Sequence, residues 1–222
     1  MKQVRGLRKQ VSRGRMPRQR HTDRTWMMRY WIILPALAAQ PAAAWAPVTL
    51  PGAVRAALPS GHVARVATCT RTLDPPRVHC IVVAARSNEG DRNSPREAPR
   101  RPLLVYRLVG AIATLIARND KVVLRRGEGG QCDPVEDAGA LTIKGRFFTL
   151  EQGVACGQHW TDYTTFRFDL PTRSFLWQNR IFESWRMNDD ARPDAAALVR
   201  DRRLVSRANL RRPVKLASYA PQ

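Results

Sequence analysis

From His159 to Phe168 the chain reads HWTDYTTFRF, and its side chains alternate with a period of two. Trp160, Asp162, Thr164, Phe166 and Phe168 fall on one face, and Thr161, Tyr163, Thr165 and Arg167 on the other. A helix repeats every 3.6 residues and cannot sort these residues in that way, so the stretch is a strand. An isolated strand has no stability of its own, so this one requires pairing partners and a second layer over its apolar face.

The partners are present on both sides. His62–Thr68 and Val78–Ala85 read as strands joined by a turn at Asp74-Pro75-Pro76. Leu103–Leu108, Ala111–Ala117 and Lys121–Leu124 are three further strands, with a short helix as the alternative for Ala111–Ala117 and a turn at Asn119-Asp120. Leu141–Lys144 turns at Gly145 into Arg146–Leu150, and Glu151-Gln152-Gly153 leads to Val154–Cys156. Ser174–Met187 is another aromatic strand. Short helices are expected over Ala53–Leu58 and over Asp194–Arg203, the second with Asp194 as its cap. The fold class is therefore mainly β: antiparallel sheets, sandwich or propeller-blade-like, with short N- and C-terminal helices. Phe147, Phe166, Phe168, Phe182 and Trp185 are expected between the sheets; whether Trp160, Tyr163 and Trp177 face outward is left open by the sequence.

The net charge of +20 is unevenly placed. Ten Lys/Arg and a single acid, Asp23, lie in residues 1–46. There Arg29 is followed by the apolar run Tyr30–Ala39 and by Ala44-Trp45-Ala46, the pattern of a secretory signal and its cleavage site. Met27 or Met28 would open a signal of ordinary length; an Arg-rich transit peptide is the rival reading. The run is shorter than the roughly 20 residues needed to span a bilayer, so no transmembrane span is expected after cleavage. The organisation is a leader over 1–46 (core signal 27–46), a mainly-β domain over 47–190, and a basic C-terminal tail over 191–222. The expected location is periplasmic or secreted, in a Gram-negative bacterium.

Four cysteines in an exported chain read as two disulfides, for which three pairings exist. The simplest joins Cys69 to Cys80 and Cys132 to Cys156. No C-x-x-C is present, so neither a metal site nor a cofactor is expected.

The segments Glu128-Gly129-Gly130-Gln131-Cys132-Asp133-Pro134, Ile143–Phe148, Cys156-Gly157-Gln158-His159-Trp160-Thr161-Asp162-Tyr163 and Glu183-Ser184-Trp185 resemble a family of uncharacterised secreted proteobacterial proteins, distantly like FG-GAP and VCBS repeats. The resemblance implies an early inter-strand loop able to bind calcium. The equivalent stretch here, Thr68–Asp74, offers only the carboxylate of Asp74. Calcium takes six to eight oxygens, so a cysteine bridge is the expected staple in its place. The resemblance implies no reaction.

His159, Asp162 and Glu183 are the candidates for acid–base chemistry. His159 and Asp162 are three apart on a strand, however, and so point to opposite faces. Glu151 and Glu183 form a second carboxylate couple that no spacing joins. His159, Trp160 and Tyr163 are the candidate ligand contacts. Three functions follow. The first is an exported binding or structural module of the cell envelope, more a binder than an enzyme. The second is an envelope hydrolase using His159. The third is a polyanion binder acting through Arg200, Arg202, Arg203, Arg207, Arg211, Arg212 and Lys215, with an anionic envelope component as partner. No nucleic-acid-binding motif accompanies the basic run, so specific nucleic-acid recognition is not expected.

Overall fold

In the computed structural model, residues 48–89, 98–136, 139–157, 159–189, 192 and 194–221 are described. The leader expected over 1–46 lies outside them. Among the described residues nine strands form two antiparallel sheets. The first sheet is a meander of β1 (His62–Asp74), β2 (Arg77–Arg86), β3 (Arg101–Val109) and β4 (Ile112–Val123). The second is a meander of β5 (Ala140–Lys144), β6 (Phe147–Val154), β7 (His159–Asp169), β8 (Ser174–Met187) and β9 (Leu198–Arg207). Among the described residues no helix is long and apolar enough to cross a membrane.

β2 explains the layering. Its continuous apolar run, Cys80–Ala85, is buried on both faces, as a strand covered from both sides requires. Ile81 and Val83, with Leu73, Leu103 and Val105, face the aromatic side of the second sheet, Phe148, Phe166, Phe168 and Phe175. Cys80, Val82, Ala84, Leu104 and Tyr106 face the other way, under Leu50 and Val54. Val54 belongs to the short helix α1 (Gly52–Ala56), and the Tyr106 hydroxyl donates to the Ala57 carbonyl at 2.9 Å to fix that layer. The alternation of β7 is realised as expected: Asp162, Thr164, Phe166 and Phe168 are buried, and the residues between them are half-buried.

Polar side chains join the sheets where the apolar core ends. Gln152 of β6 accepts from the Leu124 amide at 2.6 Å and donates to the Val122 carbonyl at 3.1 Å. Arg101 is buried between two carboxylates, with its Nε on Glu89 at 2.9 Å and its Nη1 on Asp133 at 2.6 Å. Burial disfavours charge on both Arg101 and Asp133. Their mutual hydrogen bonds and attraction outweigh it, so Asp133 is held below the usual carboxylate range and Arg101 above its ordinary value.

Both disulfides take the simplest pairing. Cys69 and Cys80 are directly opposed in the β1–β2 ladder, with Cα atoms 4.0 Å apart. Cys132–Cys156 ties the loop after β4 to the β6–β7 connection across 6.3 Å. Together they fit an oxidising, extracytoplasmic compartment.

Several expectations are corrected. Asn119-Asp120 is not a turn, because β4 runs unbroken past it. The ladder instead jumps from Leu103–Asn119 to Arg101–Val123. The amides of Lys121 and Val122, thrown out of the ladder by this bulge, are taken up by Asn119 Oδ1 at 2.7 and 2.8 Å. Glu151–Gly153 is likewise strand rather than connection, within β6. Gly153 is there because the Trp160 carbonyl lies 2.5 Å from where a Cβ would stand.

The C-terminal helix over Asp194–Arg203 does not form; Leu198–Arg207 pairs with β8 as β9. The segment beyond it is no loose tail. Leu216 and Tyr219 are buried in the core, and Asn119 Nδ2 donates to the carbonyls of both. Among the aromatics, Phe147 is 39% exposed while its neighbour Phe148 occupies the core.

Candidate binding surface

Cross-strand partners share a face of a sheet, so the ladder fixes what gathers over β7–β9. Thr164 pairs with Arg180, which pairs with Ser206. Asp162 pairs with Phe182, which pairs with Leu204. All lie on the buried side of β7. Trp177 belongs to the same side although it is three residues from Arg180. The bulge between the Phe166–Trp177 and Thr165–Asn179 pairs adds Gln178, so both side chains turn inward.

Arg180 grips Asp162, with Nε at 3.0 and 2.9 Å from the two carboxylate oxygens and Nη2 at 2.6 Å. That hydrogen bonding, more than the opposing effect of burial, raises the guanidinium above its ordinary value. Tyr219 stacks on Trp177 with ring centres 5.0 Å apart, and Trp160 stacks on Phe182 at 6.0 Å. Burial raises the Tyr219 phenol, which stays a neutral hydrogen-bonding group at physiological pH.

Two cavities open on this face. One, of about 350 Å³, lies between Trp177, Arg180, Ser206 and the segment Val214–Ala220. The other, of about 270 Å³, lies over Phe182 and Leu204. Both are lined by Arg180 and Ser206, so they adjoin along β8 and β9. Their apolar walls with a few fixed polar groups are the make-up of a ligand cleft.

The sequence candidates are distributed differently. His159 and Tyr163 lie on the outward face of β7, and Trp160 on the inward one. The structure therefore does not bring these three together. His159 stands beside Trp185, which is thus outside the core, and His159 Nδ1 is buried without a hydrogen-bond partner. Asp162 is engaged by Arg180 on the opposite face.

Glu183, which neighbours Thr161 on the outward face, accepts from Arg203 at 2.8 Å and from Arg200 at 3.2 Å. Those arginines are three apart and reach one carboxylate because a second bulge, at Asp201, returns them to one face. Glu151 is raised by burial, and Tyr163 is raised by burial with added repulsion from Glu151 and Glu183. Both carboxylates of that couple thus border Tyr163, but neither orients His159. Asp74, the one carboxylate of the loop compared with calcium sites, pairs with Arg77 and Arg173. Among the described residues no group of three or more His, Cys, Asp or Glu could hold a metal ion.

Sequence reasoning missed Trp177, Arg180, Ser206 and Tyr219 as a group. One signal was available: an aspartate in the aromatic face of β7 demands a buried cation, and Arg180 is within reach across the β7–β8 hairpin. Comparison with protein families, with curated proteins and with solved structures yields no match to this chain.

Proposed function

We propose that the protein is an exported, disulfide-stabilised binding module of the cell envelope, and that it takes its ligand over β7–β9. The observation that carries this reading is the pair of adjoining cavities. Their aromatic walls, and Arg180, which Asp162 holds, are fixed by the protein itself, so little ordering remains to be done on binding. Export is supported by the signal-like leader and by the two disulfides. A hydrolase is less well supported, since among the described residues no carboxylate is bonded to His159 Nδ1 and no free cysteine occurs.

The test uses protein purified from the periplasm. Thiol titration is expected to find no free thiol; four would overturn the export reading. Binding to purified peptidoglycan and lipopolysaccharide is then compared for wild type, Leu204→Asp and His159→Ala. Leu204 is 45% exposed on the cavity floor, so Leu204→Asp should weaken binding at least about tenfold, the effect of about 1.4 kcal/mol, with an unchanged thermal midpoint. His159→Ala should bind as wild type. Equal binding by Leu204→Asp, or an envelope-hydrolysing activity lost in His159→Ala, would refute the reading.

A further inference from the structure

β9 is the last strand of its sheet, and among the described residues nothing pairs with its outer edge. Every residue from Arg200 to Arg207 is exposed. Such an edge offers a row of unpaired N–H and C=O groups, a template for another strand.

The side chains select what can join it. A second copy of β9 laid alongside would set arginine among arginines, a destabilising arrangement. Glu183 alone serves Arg200 and Arg203, while Arg202 and Arg207 have no carboxylate partner among the described residues. Between these charges Leu204 and Val205 are 45% and 43% exposed, one on each face of the strand. Leu204 also borders the smaller cavity, so a side chain on the inward face of an added strand would lie next to that cavity.

We propose that β9 accepts an extended acidic segment of another protein as a tenth strand, with carboxylates beside Arg202, Arg203 and Arg207 and apolar side chains beside Leu204 and Val205. This rests on the reading of the protein as a binding module and names the chemistry of its partner. Main-chain pairing supplies attachment, and the side-chain pattern supplies selectivity.

The probe is the peptide acetyl-Glu-Thr-Val-Val-Glu-Glu-amide, matched antiparallel to residues 202–207. It is titrated into the intact protein beside an analogue N-methylated at every residue, which keeps the charge but cannot donate a backbone hydrogen bond. The expected result is binding of the first peptide only, with slowed amide exchange in β9. The double variant Arg202→Glu/Arg207→Glu, at exposed sites outside the core, should weaken that binding at least about tenfold. Equal binding of both peptides would mean plain attraction of anions and would overturn strand addition. So would binding of lipopolysaccharide or heparin with neither peptide bound, an outcome that leaves the envelope-binding reading standing.

Discussion

Asn119→Ala removes a side chain that serves four backbone groups at once. Its Oδ1 accepts the amides of Lys121 and Val122, and its Nδ2 donates to the carbonyls of Leu216 and Tyr219. The residue is 2% exposed, so water cannot easily replace it. Lys121 is at the surface and its amide can be rehydrated cheaply. The other three groups are buried, and a hydrogen bond of this kind contributes about 1 kcal/mol net, more where a group is left stranded. The variant should therefore lose about 3 kcal/mol or more, a large share of the 5–15 kcal/mol typical of a domain.

The loss should begin locally. Leu216 and Tyr219 would come away from the core before the sheets separate, and Tyr219 would leave the ring of Trp177. Urea unfolding followed by tryptophan fluorescence gives the global figure; amide exchange over residues 214–221 gives the local one. Asn119→Asp is the control, since it keeps the acceptor for the bulged amides but sets a carboxylate against two carbonyls. It should restore little. A loss below about 0.5 kcal/mol in Asn119→Ala, within the range of ordinary surface changes, or unchanged exchange over 214–221, would refute the argument.

Other expectations follow from the same structure. Arg101→Met strands Glu89 and Asp133 in the interior and should cost about 3–5 kcal/mol by urea unfolding, most of it recovered when Glu89→Gln and Asp133→Asn are added. Cys132→Ser with Cys156→Ser opens a loop of sequence separation 24 and should lower stability by about 3 kcal/mol, with no further loss at that site on adding reductant.

His79 is buried against Phe168 and Phe175, and burial holds its pKa below the ordinary 6.5. The unfolded chain thus takes up a proton near pH 6.5 that the folded protein refuses. The contribution is complete above that pH and is lost as pH falls below it. His79→Phe should flatten the stability profile just below pH 6.5; an unchanged slope would exclude this residue as its source. Asp133, held below 3.8, adds stability above that pH which is lost on further acidification, and Asp133→Asn should remove that arm.

What the sequence disclosed and what it hid divide along a physical line. The period of β7 is set by local covalent geometry, so Phe166, Phe168 and even the burial of Asp162 could be read from the alternation. That Cys69 and Cys80 lie near the two ends of one connection followed from the turn between them; their direct opposition depends on a register shift between Thr70 and Asp74. The bulges could not be read, because an extra residue in a strand leaves no local mark and is decided by the neighbouring strand. Bulges determine that Trp177 joins Arg180, that Arg200 joins Arg203, and that Asn119 turns inward. The mistaken helix at Asp194–Arg203 has a related cause. The Ala195–Ala197 run favours a helix locally, and pairing with β8 overrides that preference.

Cys132 and Asp133 are adjacent, yet they are held by unrelated chemistry. The cysteine is bound covalently to the β6–β7 connection of one sheet, and the aspartate ionically to Arg101 at the start of β3 in the other. A single dipeptide therefore acts as a rivet through both layers, with two heads that fail under different conditions. Reductant cuts one and strong acid loosens the other, so neither treatment alone frees the loop. The loop stays attached to one sheet after either treatment, but the sheets are joined to each other through it only while both fastenings hold.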